Sequence, residues 1–120
     1  MRKTGMVVAM VALLVALFAT AAYAATIEGN DRDNTLFETS GADLMLGRGG
    51  NDVLDANNFG GDADILRGGT GNDRLLANDG DTEDTVYGGP GNNDICVVDA
   101  RSEVGGECET RRIGVDATDR

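Results

Sequence analysis

Gly68-Gly69-Thr70-Gly71-Asn72-Asp73-Arg74-Leu75-Leu76 fits the nine-residue pattern G-G-x-G-x-D-x-U-x, with U a large apolar residue, at every fixed position. A lone Gly-Asn-Asp cluster is an ordinary turn, but this one recurs. Ile27, Leu36, Met45 and Leu54 stand nine residues apart in the U place; the beat slips by three to Leu66, returns at Leu75, slips by two to Val86 and by one to Cys96. Two residues before these positions, from Leu36 onward, come Asn34, Asp43, Asp52, Asp64, Asp73, Asp84 and Asp94. Self-similarity at a fixed short period is the mark of a solenoid, in which each repeat buries its apolar residue only by stacking on its neighbours. The best copies are 47–55, 68–76 and 88–97; those at 29–37, 38–46, 59–67 and 79–87 are degenerate. The last copy carries one extra residue, Asn92 or Asn93, and Ala56-Asn57-Asn58 and Ala77-Asn78 account for two slips. These inserts are expected as bulged loops on the outside, where insertions are best tolerated.

Each repeat reads as a Gly-rich turn followed by a very short strand. Glycine admits positive φ, so the turn can bend sharply with its carbonyls turned inward. The strand alternates, so one U side chain points into the core. Two repeats make one coil, which stacks Asp52, Asp73 and Asp94 along one side and Asp43, Asp64 and Asp84 along the other. A carboxylate from each turn, joined by backbone carbonyls of Gly47, Gly50, Gly68, Gly69, Gly71, Gly88, Gly89 and Gly91, makes an all-oxygen site of the kind Ca²⁺ prefers. Asn34 holds the same place without a charge. Mg²⁺ demands tighter octahedral geometry. Zinc and copper are disfavoured in a chain with no His and only two Cys.

The segments Gly47 to Asp55, Gly68 to Leu76 and Gly88-Gly89-Pro90-Gly91 resemble the RTX, or haemolysin-type calcium-binding, repeat family. That resemblance implies an all-β fold, a parallel β-roll, with calcium held between successive turns by the Asp carboxylate and turn carbonyls. Toxins, proteases and lipases of the family carry such repeats near the C-terminus and generally lack a cleaved N-terminal signal. This chain departs from them at its start. Arg2 and Lys3 precede a short apolar run from Met6 to Ala19, and Ala22-Tyr23-Ala24 is an A-x-A cleavage site. Residues 1–24 are therefore expected to be a signal peptide rather than a membrane anchor, and the chain a secreted, extracellular repeat protein.

The full chain carries a formal charge of −11; without residues 1–24, eight basic residues face 21 acidic ones, a charge of −13. Such a charge repels nucleic acid and anionic membrane surfaces, so neither is an expected partner. High charge and a core one side chain wide are also the signature of a chain that cannot fold unaided. Bound calcium would supply both countercharge and folding free energy. Calcium ions are thus the expected partner, and a surface receptor or a second copy is not identified by the sequence.

In an exported protein, Cys96 and Cys108 most simply form one disulfide. It would pin the segment after the roll (25–98) across its open end, making 99–110 a cap and 111–120 a polar tail, although Ile113 and Val115 alternate as a short strand would. No nucleophile–base pair is visible: there is no His, and Ser40 and Ser102 have no base partner. The regular spacing assigns the carboxylates to metal rather than to a glycosidase-like pair, so an enzyme is not expected. An adhesin-like or self-associating module that uses calcium only to fold is the alternative. Ice binding would need a ladder of outward Thr, and the corresponding column holds only Thr70 among Asp31, Ser40, Gly49, Gly61 and Pro90.

Overall fold

A computed structural model describes residues 25–91 and 93–114. The expected signal peptide (1–24), Asn92 and the last six residues lie outside the described residues.

Ten short strands follow the turns: β1 (Ala25–Glu28), β2 (Thr35–Phe37), β3 (Asp43–Leu46), β4 (Val53–Asp55), β5 (Ile65–Arg67), β6 (Arg74–Ala77), β7 (Thr85–Tyr87), β8 (Ile95–Val98), β9 (Val104–Gly106) and β10 (Thr110–Ile113). A 3₁₀ turn, Arg101–Glu103, lies between β8 and β9. Odd-numbered strands form one five-stranded sheet and even-numbered strands a second, each in rank order along the axis. Neighbours within each sheet run parallel. The molecule is a parallel β-roll, as the nine-residue beat implies.

The registers explain why the beat survives its slips. Met45 pairs with Leu66 and Leu66 with Val86 in one sheet; Leu54 pairs with Leu75 and Leu75 with Cys96 in the other. These six side chains are fully buried, with Ile27, Leu36, Val104 and Ile113 packed against them. Each buried aliphatic side chain contributes about 1.5–3 kcal/mol. With one such residue on most strands, the interior stays thin.

The inserts do not bulge outward. Ala56 and Ala77 belong to the core cluster, and the Ala56 N–H donates to the Leu76 carbonyl at 2.8 Å. Beside them Asn57 Nδ2 donates to Asn78 Oδ1 at 2.6 Å, and the Asn78 N–H donates to Asn57 Oδ1 at 2.8 Å. The physical reason is repetition. An Ala-Asn insert that recurs one coil later can stack on its copy, so the corner of the coil widens inward and the two amides satisfy each other.

Cys96, at a core position of β8, is bonded to Cys108 in the turn between β9 and β10, with Cα atoms 5.9 Å apart. The disulfide closes the C-terminal end. Regular structure continues where the beat fades: β9 pairs with β7 and β10 with β8, so the segment read as cap and start of tail adds one more strand to each sheet.

Candidate metal sites

The turns of the roll fall on two edges. One edge carries turns 29–34, 47–52, 68–73, 88–91 with 93–94, and 107–109, rich in glycine. The other carries 38–42, 56–64, 78–84 and 99–103, rich in acids.

The two Asp columns expected from the spacing are both present. On the glycine-rich edge Oδ1 of Asp52 accepts from the Asn34 N–H at 2.7 Å, Oδ1 of Asp73 from the Asp52 N–H at 2.8 Å, and Oδ1 of Asp94 from the Asp73 N–H at 2.7 Å. On the acidic edge Asp64 accepts from the Asp43 N–H at 2.7 Å and Asp84 from the Asp64 N–H at 2.8 Å. Each carboxylate is thus fixed by the amide of the coil before it, and one of its oxygens is used. The other oxygen, Oδ2 of Asp52, Asp64, Asp73, Asp84 and Asp94, is buried with no hydrogen-bond partner. Buried polar atoms are almost always paired. Five such carboxylate oxygens lie in the two columns, three on the glycine-rich edge and two on the acidic edge, and they are the kind of donor a hard cation takes.

The glycines are cut to these oxygens. A methyl group on Gly47 would lie 2.7 Å from Asp52 Oδ2, and one on Gly68 would press on both Asp73 Oδ2 and the Gly88 carbonyl. One on Gly88 would lie 2.9 Å from Asp94 Oδ2. Carbonyls of successive coils come equally close: that of Arg48 faces Gly69, that of Gly50 faces Gly71, that of Gly69 faces Gly89 and that of Gly71 faces Gly91. Gly69 bends the chain here with φ 91°, and Arg48, standing where the second glycine is usual, takes the same left-handed region at 76°. Its guanidinium reaches Glu28 Oε2 at 2.6 Å on the exposed surface. Asn34 keeps the place of its column, its Oδ1 accepting from the Asn30 N–H at 2.8 Å.

Burial raises these carboxyls above their ordinary range. Desolvation is the largest cause for each; the amide donated to the carboxylate pulls back, and neighbouring acids add. Asp73 is pushed to about 6 and Asp84 to about 8, while Asp52, Asp64 and Asp94 are raised. Both cysteines are in the disulfide, so the ligands on offer are oxygens, as a hard cation requires.

Five further acids escaped the spacing argument. Glu38 is buried and pushed to about 7, by burial first, and Asp79 is raised to about 6 for the same reason. One oxygen each from Glu38, Asp43 and Asp64 lie within 4.8 Å of one another, and so do those of Asp79, Asp81 and Asp84. Glu109 ends the glycine-rich column, accepting from the Asp94 N–H at 3.2 Å, while the fully buried Glu103 closes its own turn by accepting from the Ala100 N–H at 2.7 Å. The signal for Glu38 and Asp79 was their position, the first of the nonapeptide, where the motif has glycine.

The RTX calcium-binding nonapeptide repeat matches the chain at residues 28–59 and 60–95. The chain belongs to this family of structural calcium-binding β-rolls. No curated protein and no solved structure matches it.

Proposed function

We propose that this protein is a secreted calcium-binding module that folds as it binds. The observation that carries the reading is the set of buried, unpartnered Oδ2 atoms, of which those of Asp52, Asp73 and Asp94 each lie against a glycine that leaves room for nothing larger. Asp52, Asp73 and Asp94 supply carboxylates on the glycine-rich edge, joined by carbonyls of Gly47, Gly50, Gly68, Gly69, Gly71, Gly88, Gly89 and Gly91. Asp43, Asp64 and Asp84 supply them on the acidic edge, and Asn34 completes the first turn as a neutral ligand. Coupling of binding to folding follows from charge. Isolated buried carboxylates are costly, the core is thin, and Ca²⁺ supplies the missing counter-charge.

Extracellular modules of this kind bind with Kd on the order of 10⁻⁴–10⁻³ M. Such an affinity leaves the chain unfolded in a calcium-poor cytosol and folded outside. The disulfide supports the same compartment, as does the leader-like sequence of residues 1–24. The role is structural rather than catalytic.

A calcium titration followed by far-UV circular dichroism, with magnesium as control, tests this. A cooperative gain of β signal in millimolar calcium alone is expected. A spectrum that calcium leaves unchanged would sink the coupling of folding to binding.

A further inference from the structure

The six acids of the two tight clusters differ in kind from the ligands of the glycine-rich edge. There, each Asp oxygen lies under a glycine and among carbonyls. On the acidic edge, the first position of the repeat is Glu38 in one turn and Asp79 in another, so a carboxylate enters where a glycine would leave only backbone. The Glu38 carboxylate is held by two amides of the next coil: Oε1 accepts from the Asn58 N–H at 2.5 Å and the Phe59 N–H at 2.7 Å. Its buried Oε2 and the buried Oδ2 of Asp64 receive no N–H or O–H, and the two carboxyls face each other. Glu38 is 6% exposed and Asp64 0%. Asp43 is anchored by the Thr39 N–H at 2.6 Å and Thr39 Oγ1 at 2.8 Å.

The second cluster is built alike. Asp81 accepts from the Gly61 N–H at 2.6 Å and the Glu83 N–H at 2.9 Å. Asp84, 3% exposed, and Asp79 each keep a buried Oδ2 without a partner. No arginine pairs with any of the six; among the described residues the one ion pair, Arg48 with Glu28, lies on the other edge.

We propose that the acidic edge carries two three-carboxylate cation sites, Glu38–Asp43–Asp64 and Asp79–Asp81–Asp84, which take a hard, oxygen-seeking ion through side chains rather than turn carbonyls. The proposal rests on the calcium reading above and adds Glu38, Asp79 and Asp81 to it. Three formal negative charges against a divalent ion leave each site under-neutralised. Because ligand charge tunes affinity in oxygen cages, these sites fill at lower calcium than those of the glycine-rich edge and favour a trivalent lanthanide more strongly.

The test is an anomalous difference map from crystals of the protein grown in calcium and soaked in terbium, with calorimetric calcium titrations of Glu38→Gln and Asp81→Asn beside Asp73→Asn. The expected result is a terbium peak inside each cluster and loss of one site from the stoichiometry in Glu38→Gln and in Asp81→Asn. Peaks confined to Asp52, Asp73 and Asp94, with both acidic-edge variants titrating as wild type, overturn the inference and leave the general calcium reading standing. A peak in one cluster alone overturns it for the other. No peak and no heat of binding anywhere overturn both. The map needs no variant, so misfolding of Glu38→Gln cannot obscure the answer.

Discussion

Gly68 is defined by what it leaves out. A single methyl there would meet both Asp73 Oδ2 and the carbonyl of Gly88. Gly106, also in the roll, has nothing within 4 Å of the same position, and its φ is not in the left-handed region. Gly68→Ala is therefore expected to weaken calcium binding at the central turns by at least the roughly 10–100-fold that disturbing an outer-shell partner costs a metal site. Gly106→Ala should titrate as wild type. Calorimetry on the two variants checks this. Equal affinities would mean that the space above Asp73 Oδ2 is not where the ion sits.

At the scale of the element, the strands are too short to hold themselves, and each depends on its turn and on the coils beside it. The disulfide acts on the last of these. Cys96 and Cys108 are 12 residues apart, and closing a loop of that size is worth roughly 3 kcal/mol in the chain-entropy model. For a domain of this length, reduction in saturating calcium should lower Tm by roughly 10–25 °C, while the calcium-induced β signal remains. Loss of that signal on reduction would mean that the bond is required to form the roll rather than to finish it. Strands β1 to β8 and both Asp columns were legible because U and Asp positions repeat in phase, and strands of three or four residues leave little freedom of register; β9 and β10 lie past the beat, in the segment read as cap and tail. Glu38 and Asp79 were not legible, because each breaks the motif at its glycine place and meets its cluster partners only through stacking. Neither were Glu103 and Glu109: both lie past Cys96, the last U position, where the beat fades. The inserts misled for a related reason. One Ala-Asn pair looks like a loop, and only its partner one coil away makes it part of the interior.

For the whole molecule, the balance lies between carboxylates and their counter-ions. Folding raises Glu38 from 4.5 to about 7, Asp73 from 3.8 to about 6 and Asp84 from 3.8 to about 8. The folded, metal-free roll therefore binds more protons than the unfolded chain between about pH 4 and pH 8, and its stability falls as pH rises through that window. Protons and calcium are alternatives at the same oxygens. In a chelator, the β signal should grow as pH is lowered from about 8 to about 5. With calcium present the signal should hold at neutral pH, and more calcium should be needed as the medium becomes acid. Circular dichroism across that pH range, with and without calcium, checks both arms. A metal-free signal that does not change with pH would mean that these carboxyls are not desolvated on folding.

The amide-to-carboxylate bonds also give the roll a polarity. Each Asp N–H of one coil closes on the carboxylate of the coil after it, and the last, Asp94, is closed by Glu109. Completion therefore runs backward along the chain, every coil being finished by its successor and the final one by an end piece used once. A coil placed before another finds its closing carboxylate in its successor, whereas the last coil needs Glu109 to supply it.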